Sequence, residues 1–209
     1  IHVCDFDYYH ITHSHADHIG GLEELLLSSH YVLKKTPRLI LTESYKNILW
    51  ESTLRGGCEH REKGTFQFED LADFIFPSQI AESPREIYEV ELEGIRLGIF
   101  RTVHIPTEGD NSGSSFWSTG LLIDDRVLFT ADTRFDPLLF GQLPMDNVDT
   151  IFHDCQLYEP GAVHATYEQL KTLDAGLRGK MHLIHYGDTF ETFDPPADGF
   201  AGFTQPWAI

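Results

Sequence analysis

The stretch His13-Ser14-His15-Ala16-Asp17-His18 packs four metal-ligating side chains into six residues. It follows residues 8–12, whose aromatic and β-branched types predict the end of a short strand. It precedes Gly20-Gly21 and then Leu22, Leu25 and Leu26 at helical spacing. On an extended segment His13 and His15 project to one side, so two imidazoles can grip one ion. Once the chain turns, Asp17 and His18 can face a second ion close by. A surface histidine cluster or a purification tag would lack both the strand before and the glycine-led helix after.

Composition narrows the context. The 209 residues carry 15 basic and 33 acidic side chains, a formal charge of −18, and 41% are hydrophobic. That balance excludes a disordered, collagenous or coiled-coil chain, and the length suits one sizeable α/β domain over 1–209. So acidic a surface repels nucleic-acid backbones, and extended nucleic acid is disfavoured as a partner. No apolar run approaches the roughly 18 residues that a membrane helix needs. Cys4, Cys58 and Cys155 are few, far apart and odd in number, which argues for a reducing, cytoplasmic setting. The rows open at Ile1 with no secretory leader to read, and the expectation is that the first strands of the fold are missing or truncated.

Further along, residues 38–42 predict a strand, and Ser44 is the expected cap of a helix through Leu54 that Gly56-Gly57 would stop. Residues 87–92 and 95–103 flank Glu93-Gly94 as a hairpin, and 116–123 and 126–130 flank Asp124-Asp125 as a second. Residues 108–115 read as a Gly/Ser/Asp loop, 150–153 as a strand, 165–173 as a helix and 181–185 as a strand. The tail from Thr189 reads as loop, with Pro195-Pro196 barring regular structure. No glycine-rich phosphate fingerprint follows any strand, which sets aside a dinucleotide-binding fold.

The HxHxDH pattern at a strand-to-helix turn resembles the metallo-β-lactamase superfamily. The resemblance implies an α/β fold of the αββα sandwich type, two mixed sheets packed together with helices outside. It also implies a third histidine, a bridging aspartate and a last histidine at later strand ends. His104 after the apolar run 97–103, Asp132 in Phe129-Thr130-Ala131-Asp132-Thr133, and His185 in His182-Leu183-Ile184-His185 match those positions. One ion would then be held by His13, His15 and His104, and the other by Asp17, His18 and His185, with Asp132 between. His182 competes for the last place, but His185 stands closer to the loop where ligands gather. The donor set suits zinc, with manganese or iron as alternatives. Paired ions imply a bridging hydroxide as nucleophile and an anionic substrate, with Asp17 counted as catalytic as well as ligating.

The stretches Phe152-His153-Asp154-Cys155-Gln156 and Val163-His164-Ala165-Thr166 are similar to the ribonuclease Z-like phosphodiesterases. There an acidic strand end precedes a helix start whose histidine protonates the leaving oxygen, and His164 is the matching position. Val163-His164-Ala165 departs from the Gly-His-Ser of that branch. Residues 105–131 leave no room for the basic arm of the tRNA-processing members. The chain therefore resembles the armless cyclic-nucleotide phosphodiesterases of the anti-Pycsar type, with a small nucleotide-like phosphodiester as substrate and a homodimeric state. The alternatives are tRNA 3′-end processing, lactone or thioester hydrolysis on the same scaffold, and an inactive metal-binding interaction protein.

Other residues have blander readings. Cys58 and His60 read as a solvated loop. Phe190, Phe193, Phe200, Phe203 and Trp207 read as an aromatic tail that packs on the body or a partner subunit, base stacking being the rarer use. Ser112, Ser114 and Ser115 show no accompanying base, and His2, His10 and His30 carry no assigned role.

Overall fold

The computed structural model describes residues 2–105 and 116–204. The expected loop at 108–115, with Ser112, Ser114 and Ser115, and Trp207 lie outside the described residues. The chain divides into two compact units, Ile1–Pro77 and Ser78–Ile209.

The strands of the first unit are β1 (Tyr8–His10), β2 (Arg38–Ile40), β3 (His60–Arg61), β4 (Gly64–Thr65) and β5 (Asp73–Ile75). β3 and β4 pair antiparallel, while β1, β2 and β5 form a parallel sheet in that order. Parallel neighbours need crossovers. Helices α1 (Ala16–Ile19) and α2 (Leu22–Ser28) supply the first, and α3 (Glu43–Leu49) and α4 (Arg55–Cys58) the second. Leu22, Leu25 and Leu26 are buried on α2, as their spacing predicts.

Two details of the second crossover differ from expectation. Thr42, not Ser44, caps α3: its hydroxyl accepts the Tyr45 amide hydrogen at 3.3 Å, and Ser44 falls inside the first turn. Gly56-Gly57 do not stop the helix, which passes through a π-helical stretch at Trp50–Leu54 and resumes as α4. Gly57 lies inside α4 with the Glu23 carboxylate of α2 directly over it, so it does not terminate the helix. Cys58 is accordingly buried at the end of α4 and not in a solvated loop, while His60 is exposed on β3.

The second unit is built on an eight-stranded sheet. Its strands are β6 (Ser78–Ala81), β7 (Ile87–Leu92), β8 (Ile95–Arg101), β9 (Thr119–Ile123), β10 (Val127–Phe129), β11 (Thr150–Asp154), β12 (Met181–Ile184) and β13 (Gly202–Phe203), neighbours in chain order. β6 to β10 run antiparallel, and β10 to β13 parallel. Both expected hairpins are present. Glu93-Gly94 (φ 52° and 84°) and Asp124-Asp125 (φ 49° and 55°) take left-handed φ at both central positions, the turn that matches strand twist. The core joins Phe100, Leu128, Ile151, Met181 and Leu183 from the sheet to Tyr167 and Leu170 of α5 (Tyr167–Leu170). A further short helix, α6 (Ala175–Arg178), precedes β12.

Helix α5 is shorter than the 165–173 expected. It starts at a reciprocal cap, in which Thr166 Oγ1 accepts from the Gln169 amide and Gln169 Oε1 from the Thr166 amide. The tail is not wholly loop, since β13 adds the last strand of the sheet. Phe190 and Phe203 pack on Tyr186, and Phe193 and Phe200 on Tyr167. Among the described residues no helix is long and apolar enough to cross a membrane.

Gly120 on β9 faces Phe100 on β8. A β-carbon there would lie 2.5 Å from the Phe100 ring and 2.7 Å from the Phe129 carbonyl oxygen. Gly120→Ala is therefore expected to lose about 1–3 kcal/mol of stability through overpacking, read as a lowered urea midpoint at unchanged slope.

Candidate functional site

In the first unit, β1 ends three residues before His13. His13 is fully buried, and its Nε2 lies 3.1 Å from His15 Nδ1, so the two imidazoles face one another as the alternation predicts. The Thr12 hydroxyl lies 3.2 Å from His13 Nδ1 and 3.3 Å from His18 Nδ1. It thereby helps to fix both rings through their Nδ1 atoms, so that Nε2 of His13 faces His15 and Nε2 of His18 faces Asp17. The His13 and His18 rings stand 4.0 Å apart, and Asp17 Oδ2 is 3.6 Å from His18 Nε2. All four side chains of the motif are thus gathered at the turn into α1.

In the second unit the topology does the gathering. β8 and β10 are both antiparallel to β9 and hence parallel to each other, so β8, β10, β11 and β12 all end at one edge of the sheet. His104 follows β8, Asp132 follows β10, Asp154 ends β11 and His185 follows β12. Ala131 (φ 49°) and His185 (φ 60°) hold left-handed backbone conformations at these strand ends. Such strain in a residue with a β-carbon persists where surrounding contacts impose it, commonly at functional sites.

The Asp154 carboxylate is fully buried at the centre of the cluster. Oδ2 accepts the Thr133 amide hydrogen at 2.9 Å and lies 2.7 Å from His164 Nδ1, while Oδ1 lies 3.2 Å from His185 Nδ1. Both rings therefore donate from Nδ1 and keep Nε2 for outside chemistry. His104 follows the same rule, with Nδ1 donating to the Val163 carbonyl at 2.9 Å. Asp132 Oδ atoms lie 3.8–4.0 Å from imidazole nitrogens of His104, His164 and His185. The hydroxyls of Thr102 and Ser118 each donate to the Asp132 carbonyl oxygen at 3.2 Å and fix its backbone.

Asp154 raises the His164 pKa above the ordinary imidazole value by its hydrogen bond, against a smaller lowering by burial. That pairing contributes stability fully present below about pH 6.5, and lost as pH rises through the folded-state pKa.

A divalent cation fits the imidazole and carboxylate donors that His185 and Asp132 present in this cluster, beside the Asp154–His164 pair. Donor atoms of Asp132, Asp154, His164 and His185 lie within 4.8 Å of one another, two of them on buried carboxylates. Imidazole and carboxylate are the donors that zinc, manganese and iron accept. Asp154 is the member of this cluster that sequence reasoning named only as an acidic strand end and gave no role. The available signal was the His-Asp pair at the end of a strand entering the same edge as Asp132. A larger cleft of about 590 Å³ in the first unit is lined by His2, Cys4, Asp5 and Lys35, but His2 and Asp5 there serve to cap a single 3-10 turn.

Asp154→Asn keeps an acceptor for the Thr133 amide and removes the charge. The His164 pKa is expected to fall in this variant, measured by NMR titration of the ring nitrogens in metal-free protein. An unchanged value would show that Asp154 does not set it.

Comparison with known proteins follows the same lines. The family described as "Anti-Pycsar protein Apyc1" matches residues 1–209. An anti-Pycsar protein Apyc1 of Paenibacillus harenae is 37% identical over 184 residues, covering 88% of this chain and 69% of the relative. One of Bacillus phage 010DV004 is 31% identical over 188 residues, covering 88% and 69%. Among solved structures, the metallo-β-lactamase fold protein YhfI of Bacillus subtilis superposes with TM-score 0.57 at 14% identity, over 95% of this chain and 73% of that one. A diphosphatase of the PhnP family gives 0.54 at 15% identity, over 92% and 67%. These likenesses show the metallo-β-lactamase fold.

Proposed function

The chain belongs to the Apyc1 family of anti-Pycsar proteins, and from that premise we propose that it is a metal-dependent phosphodiesterase acting on small phosphodiesters such as cyclic nucleotides. In this reading His13, His15 and His104 hold one divalent ion and Asp17, His18 and His185 a second, with Asp132 between them. Zinc is the favoured metal. When bound, such a pair lowers the pKa of a water and offsets the charge of the phosphoryl oxygens.

The chain's own residues supply the rest. The observation that carries the reading is the His164–Asp154 pair beside Asp132 and His185. A phosphodiester's leaving alkoxide is strongly basic, so a held proton donor speeds its departure by roughly 10²–10⁴-fold. Asp154 favours the protonated form of His164 by its bond to Nδ1 and leaves Nε2 as the nitrogen that would face the reacting group. Lactones and thioesters make a weaker demand for such an acid. Processing of tRNA is disfavoured by the charge of −18 and by the interval 105–131, whose one basic residue, Arg126, pairs with Asp149. A homodimer remains part of the proposal, though Phe190, Phe193, Phe200 and Phe203 are already packed on the chain's own tyrosines and another surface would have to form it.

Metal-loaded protein is expected to hydrolyse a 3′,5′-cyclic nucleotide and bis-p-nitrophenyl phosphate, and to leave a lactone and a thioester essentially untouched. His164→Ala should slow the cyclic nucleotide at least about tenfold more than the nitrophenyl ester, whose leaving anion needs little protonation, a barrier difference near 1.4 kcal/mol. Equal losses on both would reduce His164 to a positioning role. Turnover confined to the lactone or thioester would replace the phosphodiesterase reading.

A further inference from the structure

We infer that Tyr158, with Tyr186 beside it, forms an aromatic wall on which the nucleobase of a nucleotide substrate stacks, and that this wall reads the base by its π-face rather than by its edge. The inference rests on the phosphodiesterase reading for what happens at the phosphate, and on separate residues for what happens at the base.

A cleft of about 300 Å³ opens where His164 and His185 reach the surface, and Gln156, Tyr158, Tyr186 and Gly187 complete its lining. That volume lies at the small end of the range for ligand pockets. Tyr158 is 70% exposed, an unusual position for so large an aromatic ring. The loop that carries the ring is nonetheless held through its backbone. The buried side-chain amide of Gln156 donates to the Tyr158 carbonyl at 2.7 Å and to the Pro160 carbonyl at 2.9 Å, pinning the loop without using the tyrosine ring. The backbone beneath the ring is therefore preorganised, so a ligand stacking there orders only the side chain.

Tyr186 is fixed from behind. Its ring packs on Phe203 and Phe190 at centroid distances of 4.4 and 5.2 Å, and its hydroxyl donates to the Thr204 carbonyl at 2.6 Å. The tail phenylalanines thus do not meet the substrate; they buttress the tyrosine that does. Several polar groups of the wall are already engaged. The Gln156 amide hydrogens go to backbone carbonyls and the Tyr186 hydroxyl goes to Thr204. What the cleft offers a base is aromatic area, which every base can use. Recognition of this kind accepts purine and pyrimidine rings alike.

Calorimetry of metal-loaded protein with AMP, CMP and ribose 5-phosphate tests the wall without requiring turnover. Both nucleotides are expected to bind at least about tenfold more tightly than the sugar phosphate. Tyr158→Ala should erase that advantage and Tyr158→Phe should keep it, with melting temperatures confirming that both variants fold. Base-dependent binding that survives Tyr158→Ala, equal affinity for all three probes, or no binding by any of them overturns the inference. Base-dependent binding that vanishes in Tyr158→Ala, in a protein that cleaves no phosphodiester, would leave the wall standing and end the phosphodiesterase reading instead.

Discussion

The second unit is organised around one buried carboxylate. Asp154 ends β11 with no exposed surface, and an anion there is tolerated only because three donors meet it: the Thr133 amide and the Nδ1 atoms of His164 and His185. The same contacts that satisfy Asp154 decide the chemistry of both rings. Each histidine gives its Nδ1 proton inward and presents Nε2 outward. The proposed roles, metal ligand for His185 and proton donor for His164, both draw on that outward-facing nitrogen. Asp154 is a positioning residue in this account, acting through its two partners rather than on substrate.

The donors come together because of strand direction. Because β8, β10, β11 and β12 are co-directional, four strand ends meet at one edge of the sheet. The loops that follow them are laced to one another across that edge. The Thr133 hydroxyl donates to the Val103 carbonyl, the Ala165 amide to the Thr133 carbonyl, and the Gln156 amide to the Ala165 carbonyl. The loop carrying His164 is therefore tied to the loops carrying Asp132 and His104, as well as to the strand end at Asp154. The left-handed backbone at Ala131 stands next to this lacing, two residues before Thr133.

The sequence was most legible where local chemistry and periodicity agree. The strand–HxHxDH–glycine–leucine succession announced both the first histidine cluster and helix α2, and both hairpins were legible in their turn residues. What escaped did so for physical reasons. β5, β6 and β13 are only two to four residues long and largely unburied, so they leave little alternation to read. Gly57 looked like a helix stop because a missing side chain gives the same letter whether it ends a helix or lies inside one. Asp154 was visible as an acidic strand end, but its partners lie 10, 21 and 31 residues away, and no local pattern reports a contact at that separation. Tyr158 and Tyr186 were missed for the converse reason: the aromatic tail drew attention to the residues behind the wall.

The central proposal is that the chain is a metal-dependent phosphodiesterase that works with two divalent ions. The most direct measurement is stepwise addition of zinc to chelator-stripped protein, following bound metal and cyclic-nucleotide hydrolysis in the same samples. Tight binding of close to two ions per chain is predicted, with activity emerging as the second ion fills. Saturation at one ion, or hydrolysis already complete without added metal, would contradict it.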